Sequence, residues 1–329
     1  MEYIKLGNTG LSVSKIALGC WGFAGGDMWG AQDEADSIAT IEAALDAGIN
    51  FFENAQGYGS GYSEEVLGKA LKGRRDQVII ATKISAAAAV NQGIETACEQ
   101  SLKRLQTDYI DLLQPHWPYR HIAAEETYQA FLKLREAGKI RAFGVSNYGV
   151  GDLSDILQSG EVSSNQLPYS LLFRAIEYEV QPLCVQENIG ILCYSTLLHG
   201  LLAGKFKSPG DVPDGRGRTR HFSKNRSGTR HDEDGCETEI FAAIDQIRQI
   251  ADEIGWPMAL VSVAWVLKQP GVACVIIGAR QPEQIREIAA ATNLRLDPAV
   301  VQRLNAATKQ VKQILGPNPD MWSSESRFR

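Results

Sequence analysis

Long apolar runs are missing from this sequence. No stretch approaches the roughly 18 uncharged apolar residues that a membrane span needs, so none is expected. The first ten residues, MEYIKLGNTG, have neither the basic region nor the apolar run of a secretory leader, and a cytoplasmic protein is expected. An excess of positive charge is absent too. With 33 Lys and Arg against 39 Asp and Glu, the formal net charge is -6, which gives no reason to expect nucleic acid as a partner. The six cysteines, Cys20, Cys98, Cys184, Cys193, Cys236 and Cys274, show no C-x-x-C and no Cys/His spacing. They read as small apolar residues of a reducing compartment, with no metal site expected. No G-x-G-x-x-G follows the first predicted strand, which weakens an open dinucleotide-binding sheet.

What is present is enough apolar material, 44% of 329 residues, for one large α/β domain. Residues 3–6 and 12–15 flank Gly7-Asn8-Thr9-Gly10 and predict a hairpin. Eight apolar strands are then predicted at 16–19, 49–52, 78–82, 109–113, 140–145, 163–167, 191–194 and 272–277. Amphipathic helices follow the first six strands at 33–47, 63–71, 93–105, 123–137, 149–158 and 176–188, and the last at 282–291. This alternation fits a (β/α)8 barrel with an N-terminal hairpin, a doubly wound sheet being the competitor. The seventh strand leads into residues 195–235, too long for a plain connection, so a ligand lid that orders over 205–235, or a solvated insertion, is expected. Helices at 237–253, 258–268 and 297–314 complete a single barrel domain over 1–315, with 316–329 as a tail or flap.

Polar groups interrupt the apolar strands at their carboxyl ends. The stretch 47–69 sets Glu53 after its strand and Tyr58 in a Gly-rich turn. Lys83 ends VIIATK, and His116 follows the fourth strand in DLLQPHW. In a barrel these ends converge on one mouth. Lys83 beside Tyr58 would favour the phenolate, Glu53 would hold the lysine, and His116 could donate to a carbonyl oxygen. That set suits proton transfer to a carbonyl, with Tyr58 as general acid. Backbone capping by Glu53, a surface role for Lys83 and a satisfied loop histidine are the alternatives. Such chemistry needs a hydride source, for which a nicotinamide would serve. Ser146, Asn147 and Gln166 could hold its carboxamide and Tyr194 could stack on it. Gly278, Arg280 and Gln284, at the start of a helix, could meet a phosphate. Each could equally be an ordinary barrel-mouth residue. Aromatic residues Trp21, Phe23, Trp29, Trp117 and Tyr119 fall in the loops after the first and fourth strands and suit a sugar or aryl ring. Arg216, Arg218, Arg220, Arg226 and Arg230 could close over phosphates or remain solvated.

The segments GINFFENAQGYGSGYSEEVLGKAL, VIIATK, DLLQPHWP, IRAFGVSNY, YSTLLHGLLAGKF and VIIGARQPEQIREIAAA together resemble the aldo-keto reductase family over nearly the whole chain. The resemblance implies NADPH bound without a Rossmann domain, and an aldehyde or ketone, sugar-like by the mouth aromatics, as substrate. It implies catalytic roles for Tyr58, Glu53, Lys83 and His116. It implies nicotinamide contacts from Ser146, Asn147, Gln166 and Tyr194, and pyrophosphate contacts from Ser195, Leu197, Gly200 and Lys205. Gly278, Arg280 and Gln284 would lie at the adenosine phosphate; by their place in the mouth loops, and not by the resemblance, Trp21, Trp29, Trp117 and Tyr119 are expected toward the substrate. Two departures stand out. Glu53 replaces the family's usual Asp, which puts its reach to Lys83 in question, and Ile288 replaces an Asn expected beside the adenine. A redox-neutral sugar epimerase or dehydratase, and a cofactor-sensing subunit similar to potassium-channel β-subunits, are the alternative functions. A homo-oligomer is compatible with the sequence.

Overall fold

Every predicted strand except the sixth, 163–167, is apolar on both faces, and the two faces go to different places. Ala17, Phe51, Ala81, Leu112, Ala142, Leu192 and Cys274 point to one buried cluster, while Ile16, Leu18, Phe52, Ile80, Leu113, Ile191 and Val275 point to another. A strand buried on both faces must lie between a filled interior and a covering layer of helices. A computed structural model, describing residues 1–26 and 28–329, shows that arrangement. Asp27, in the Gly- and Trp-rich loop after the first strand, lies outside the described residues.

The parallel strands are Ile16–Gly19, Phe51–Glu53, Ile79–Ile84, Ile110–Pro115, Ile140–Phe143 continued by Val145–Ser146, Ser164–Pro168, Gly190–Tyr194 and Val272–Gly278. Neighbours in the chain are neighbours in the sheet, and the eighth strand pairs with the first. The circle is completed at the fifth strand. Its first half pairs with the fourth strand through Leu113↔Phe143, and its second half pairs with the sixth through Val145↔Asn165 and Ser146↔Gln166. Gly144 sits at the changeover, where an added Cβ would lie 2.3 Å from Ser164 Oγ. The chain is therefore an α/β protein with the (β/α)8 architecture. The hairpin Tyr3–Lys5 and Ser12–Ser14 closes the floor, burying Leu6 and Val13 in the interior cluster.

Several helices depart from expectation. An extra helix, Ala86–Gln92, precedes Ile94–Leu105, with Ser85 capping it and Gly93 at φ +83° dividing the two. Its alanine run has high helix propensity but no apolar period to reveal it. The helix expected at 297–314 is two, Pro298–Ala307 and Lys309–Leu315. That expected at 176–188 begins as a 3-10 turn, Ala175–Glu177, and is α-helical only over Val180–Gln186. Among the described residues, no single helix is long and apolar enough to cross a membrane.

Residues 195–235 and the tail are knitted together. Arg220, buried, donates to the carbonyls of Leu315 at 2.8 Å and Asn318 at 3.0 Å and pairs with Glu233 at 2.6 Å. Arg226 donates to the carbonyls of Pro209 and Val212 and pairs with Glu237. These two arginines hold their own segment instead of facing a ligand. The tail is docked on the barrel. Asp320 and Met321 are fully buried, Arg327 pairs with Asp320 at 2.6 Å, and the buried Asp152 accepts from the Arg329 amide at 2.9 Å and from Arg120. Gly149 makes room for this docking, since a Cβ there would lie 2.4 Å from the Arg329 carbonyl. Asp152→Ala is therefore expected to free the last residues and speed tryptic cleavage after Arg327 by on the order of tenfold, a factor that needs about 1.4 kcal/mol of local opening. Mass spectrometry of timed digests checks this, and an unchanged rate would mean the tail is held elsewhere.

Candidate active site

Two residues beyond Ala17, Phe51, Ala81, Leu112 and Leu192, the inward face of the strands turns polar or loses its side chain. It carries Gly19, Glu53, Lys83, Gln114 and Tyr194. Above this tier opens a cavity of about 740 Å³. Glu53 and Lys83 are almost wholly buried, at 3% and 1% exposure, and form an ion pair. The longer glutamate therefore does reach the lysine. Lys83 Nζ also donates to the Asn54 carbonyl at 2.7 Å and to Tyr58 Oη at 3.2 Å. Three acceptors thus fix the ammonium beneath the phenol.

Tyr58 stacks on Trp21, with ring centroids 5.9 Å apart, and meets His116 edge-on at 5.9 Å. Burial, followed by the negative charge of Glu53, pushes its phenol well above the ordinary range. The expectation that Lys83 would favour the phenolate is thus reversed, and the proton stays on Tyr58 until an acceptor arrives. Burial, with the charges of Lys83 and Arg327, brings His116 down to about 3, leaving a neutral imidazole. A protonated phenol and a neutral imidazole at one wall can both donate hydrogen bonds to a single oxygen.

Across the cavity, Asn147 has a left-handed backbone (φ +62°). Its amide donates to the His116 carbonyl at 2.9 Å and accepts from Tyr194 Oη at 2.9 Å, so both ends are engaged within the protein. Ser146 is fully buried and does not line the cavity. Gln166 does line it, and its Nε2 is buried without a partner among the described residues. A buried donor left unpaired is costly. It fits a carboxamide oxygen, and the Tyr194 ring beside it offers a flat face.

Farther along, Ser195, Leu198, His199 and Gly200 all have positive φ, a strained turn of the kind found at ligand clamps. Leu197, Lys205, Gly278, Arg280 and Gln284 line the same cavity. So do Arg216, Arg218 and Arg230, which, like Lys205, have no carboxylate partner among the described residues. Burial and the charges of Arg216 and Arg280 lower the Lys205 pKa, which marks an electropositive trough suited to phosphates.

Trp21, Trp29 and Trp117 line the cavity. Tyr119 does not; it is buried, and its hydroxyl donates to the Ile84 carbonyl at 3.1 Å. Phe23 is a core residue. Ile288 also packs in the core and does not line the cavity. Three wall residues escape sequence reasoning. His199 lies between Trp29 and Trp322, with centroids 6.3 and 5.3 Å away, and burial holds it near 4. Arg327 stands 3.7 Å over the Trp117 ring. An isolated histidine inside YSTLLHG and an aromatic and an arginine in a polar tail carry no pattern that would single them out.

Residues 15–309 match the model of the aldo/keto reductase family. The chain is 38% identical to the aldo-keto reductase YhdN of Bacillus subtilis, covering 96% of this chain and 97% of that protein. It is 32% identical to the NADH-specific methylglyoxal reductase of Escherichia coli, covering 91% and 96%. Among solved structures, an aldo-keto reductase from Klebsiella pneumoniae in complex with NADPH superposes with a TM-score of 0.73 at 28% identity, covering 100% of this chain and 99% of that one. Sequence, barrel and site geometry agree: the chain belongs to the aldo/keto reductase family.

Proposed function

We propose that this oxidoreductase uses NADPH to reduce the aldehyde or ketone of a sugar or other polyhydroxylated substrate to the alcohol. The observation that carries the reading is the buried ammonium of Lys83, held by Glu53 and Asn54 and donating to a Tyr58 phenol that keeps its proton at the cavity wall. NADPH supplies the hydride when bound. Tyr58 Oη gives its proton to the carbonyl oxygen, Lys83 stabilises the charge left on the phenolate, and neutral His116 donates a second hydrogen bond that orients the carbonyl.

The residues fit the cofactor. Gln166 Nε2 would meet the carboxamide and Tyr194 would give the stacking face. The turn at Ser195, Leu197 and Gly200, with Lys205, would hold the pyrophosphate. Gly278, Arg280 and Gln284 would serve the adenosine end. Four cations with no carboxylate partner among the described residues, Lys205, Arg216, Arg218 and Arg230, match three anionic phosphate groups better than two, which favours NADPH over NADH. Trp21, Trp117 and Trp322 surround the substrate position with aromatic faces, and Arg327 adds a donor, a mixture that suits hydroxyl-bearing carbon chains.

Purified protein is expected to oxidise NADPH saturably with at least one member of a panel of sugar aldehydes, ketoses and small dicarbonyls. Tight NADPH binding with no oxidation across the panel would defeat the enzymatic reading.

A further inference from the structure

Arg280 is committed in a direction that a phosphate site alone does not explain. All three of its guanidinium nitrogens cross the mouth to the loop after the first strand. Nε donates to Gln32 Oε1 at 2.5 Å, and the two terminal nitrogens donate to the carbonyls of Trp29 and Ala31. Gln32 answers with its own amide, 3.1 Å from the Arg280 carbonyl. Gly22 clears the path, since a Cβ there would lie 3.1 Å from Arg280 Cγ. Among the described residues the acceptors are all neutral, so a full positive charge is held by dipoles with no opposite charge beside it, and a phosphate dianion would supply one.

The tethered loop is part of the substrate wall. Trp29 meets Trp21 edge-on at 5.4 Å, and Trp21 stacks on Tyr58. Trp29 also meets His199, and its indole N–H is buried without a partner among the described residues. Whatever moves Arg280 therefore acts on the aromatic surface beside Tyr58.

We propose that Arg280 is a two-position tether: it binds either the loop carbonyls of Trp29 and Ala31 with Gln32, or the 2′-phosphate of an adenosine, and so couples that phosphate to the shape of the substrate mouth. This rests on the NADPH reading above. By linkage the coupling is reciprocal, so a ligand that holds Trp29 in place weakens the hold on the 2′-phosphate by the same factor. A cofactor without the 2′-phosphate leaves the tether on the loop, and the two cofactors present different mouths to the same substrate.

The test uses 2′,5′-ADP and 5′-AMP, which carry no nicotinamide and allow no turnover. Calorimetry reads binding, and hydrogen exchange reads residues 28–32. The expected result is that 2′,5′-ADP binds and accelerates exchange of that segment, whereas 5′-AMP does not. Arg280→Met should show the fast exchange without ligand, and Gln32→Leu, which removes one competing acceptor, should bind 2′,5′-ADP roughly threefold to tenfold more tightly. Binding of 2′,5′-ADP with unchanged exchange at 28–32, or unchanged affinity in Gln32→Leu, would overturn the tether and leave the cofactor reading standing. Failure of the wild-type protein to bind 2′,5′-ADP would overturn both.

Discussion

Tyr58→Phe is expected to lower kcat by on the order of 10²–10⁴, the range that a positioned general acid contributes, while changing the dissociation constant for NADPH little. The phenol lies 3.2 Å from Lys83 Nζ and is stacked on Trp21, so phenylalanine fills the same space and removes only the transferable proton. Its retention by Tyr58 follows from burial and from the carboxylate of Glu53, and the substrate oxygen becomes its acceptor as negative charge develops there. Single-turnover kinetics with cofactor prebound isolates the chemical step from product release. Turnover within a few fold of wild type would show that the proton comes from elsewhere, and the role proposed for Tyr58 would be lost.

Lys83→Met is expected to cost more than activity. Lys83 and Glu53 are both buried, and removing one partner of a buried ion pair leaves the other charge without compensation, at about 3–5 kcal/mol. Thermal or denaturant unfolding of the apoprotein reads this directly. The double variant Lys83→Met with Glu53→Leu removes both charges and is expected to recover most of the stability, since apolar replacement of a buried pair is often neutral or favourable. It should recover none of the turnover, because nothing then stabilises the ionised phenol. Equal activity in the wild type and the double variant would separate the pair from catalysis and make it purely structural.

The barrel was legible because its strands alternate between two apolar environments and its helices follow at regular distances. Glu53, Lys83 and His116 were legible for the opposite reason, as polar groups placed where apolar runs end. What stayed hidden depended on contacts between segments far apart in the chain. Arg220 binds carbonyls near residue 318, and Asp152 binds the backbone of Arg329; neither leaves a period in the sequence. Direction was hidden as well. Tyr119 and Trp117 are two residues apart in one loop, yet Tyr119 turns into the protein and Trp117 faces the cavity. Ile288 turns to the core for a readable reason, as an apolar residue three positions after Ile285 on one helix. The reversed expectation for Tyr58 arose from weighing the nearby ammonium without the desolvation that dominates at a buried phenol.

The hairpin that places Leu6 and Val13 inside the barrel stops that end, so among the described residues the cavity over Glu53 and Tyr58 is reached from the opposite one. A molecule seated deep against Glu53, Tyr58 and Gln166 must wait for whatever arrived after it to depart, as in a blind corridor. The sequence of departures is then set by stacking order, and a slow first leaver delays every one behind it however weakly they are held.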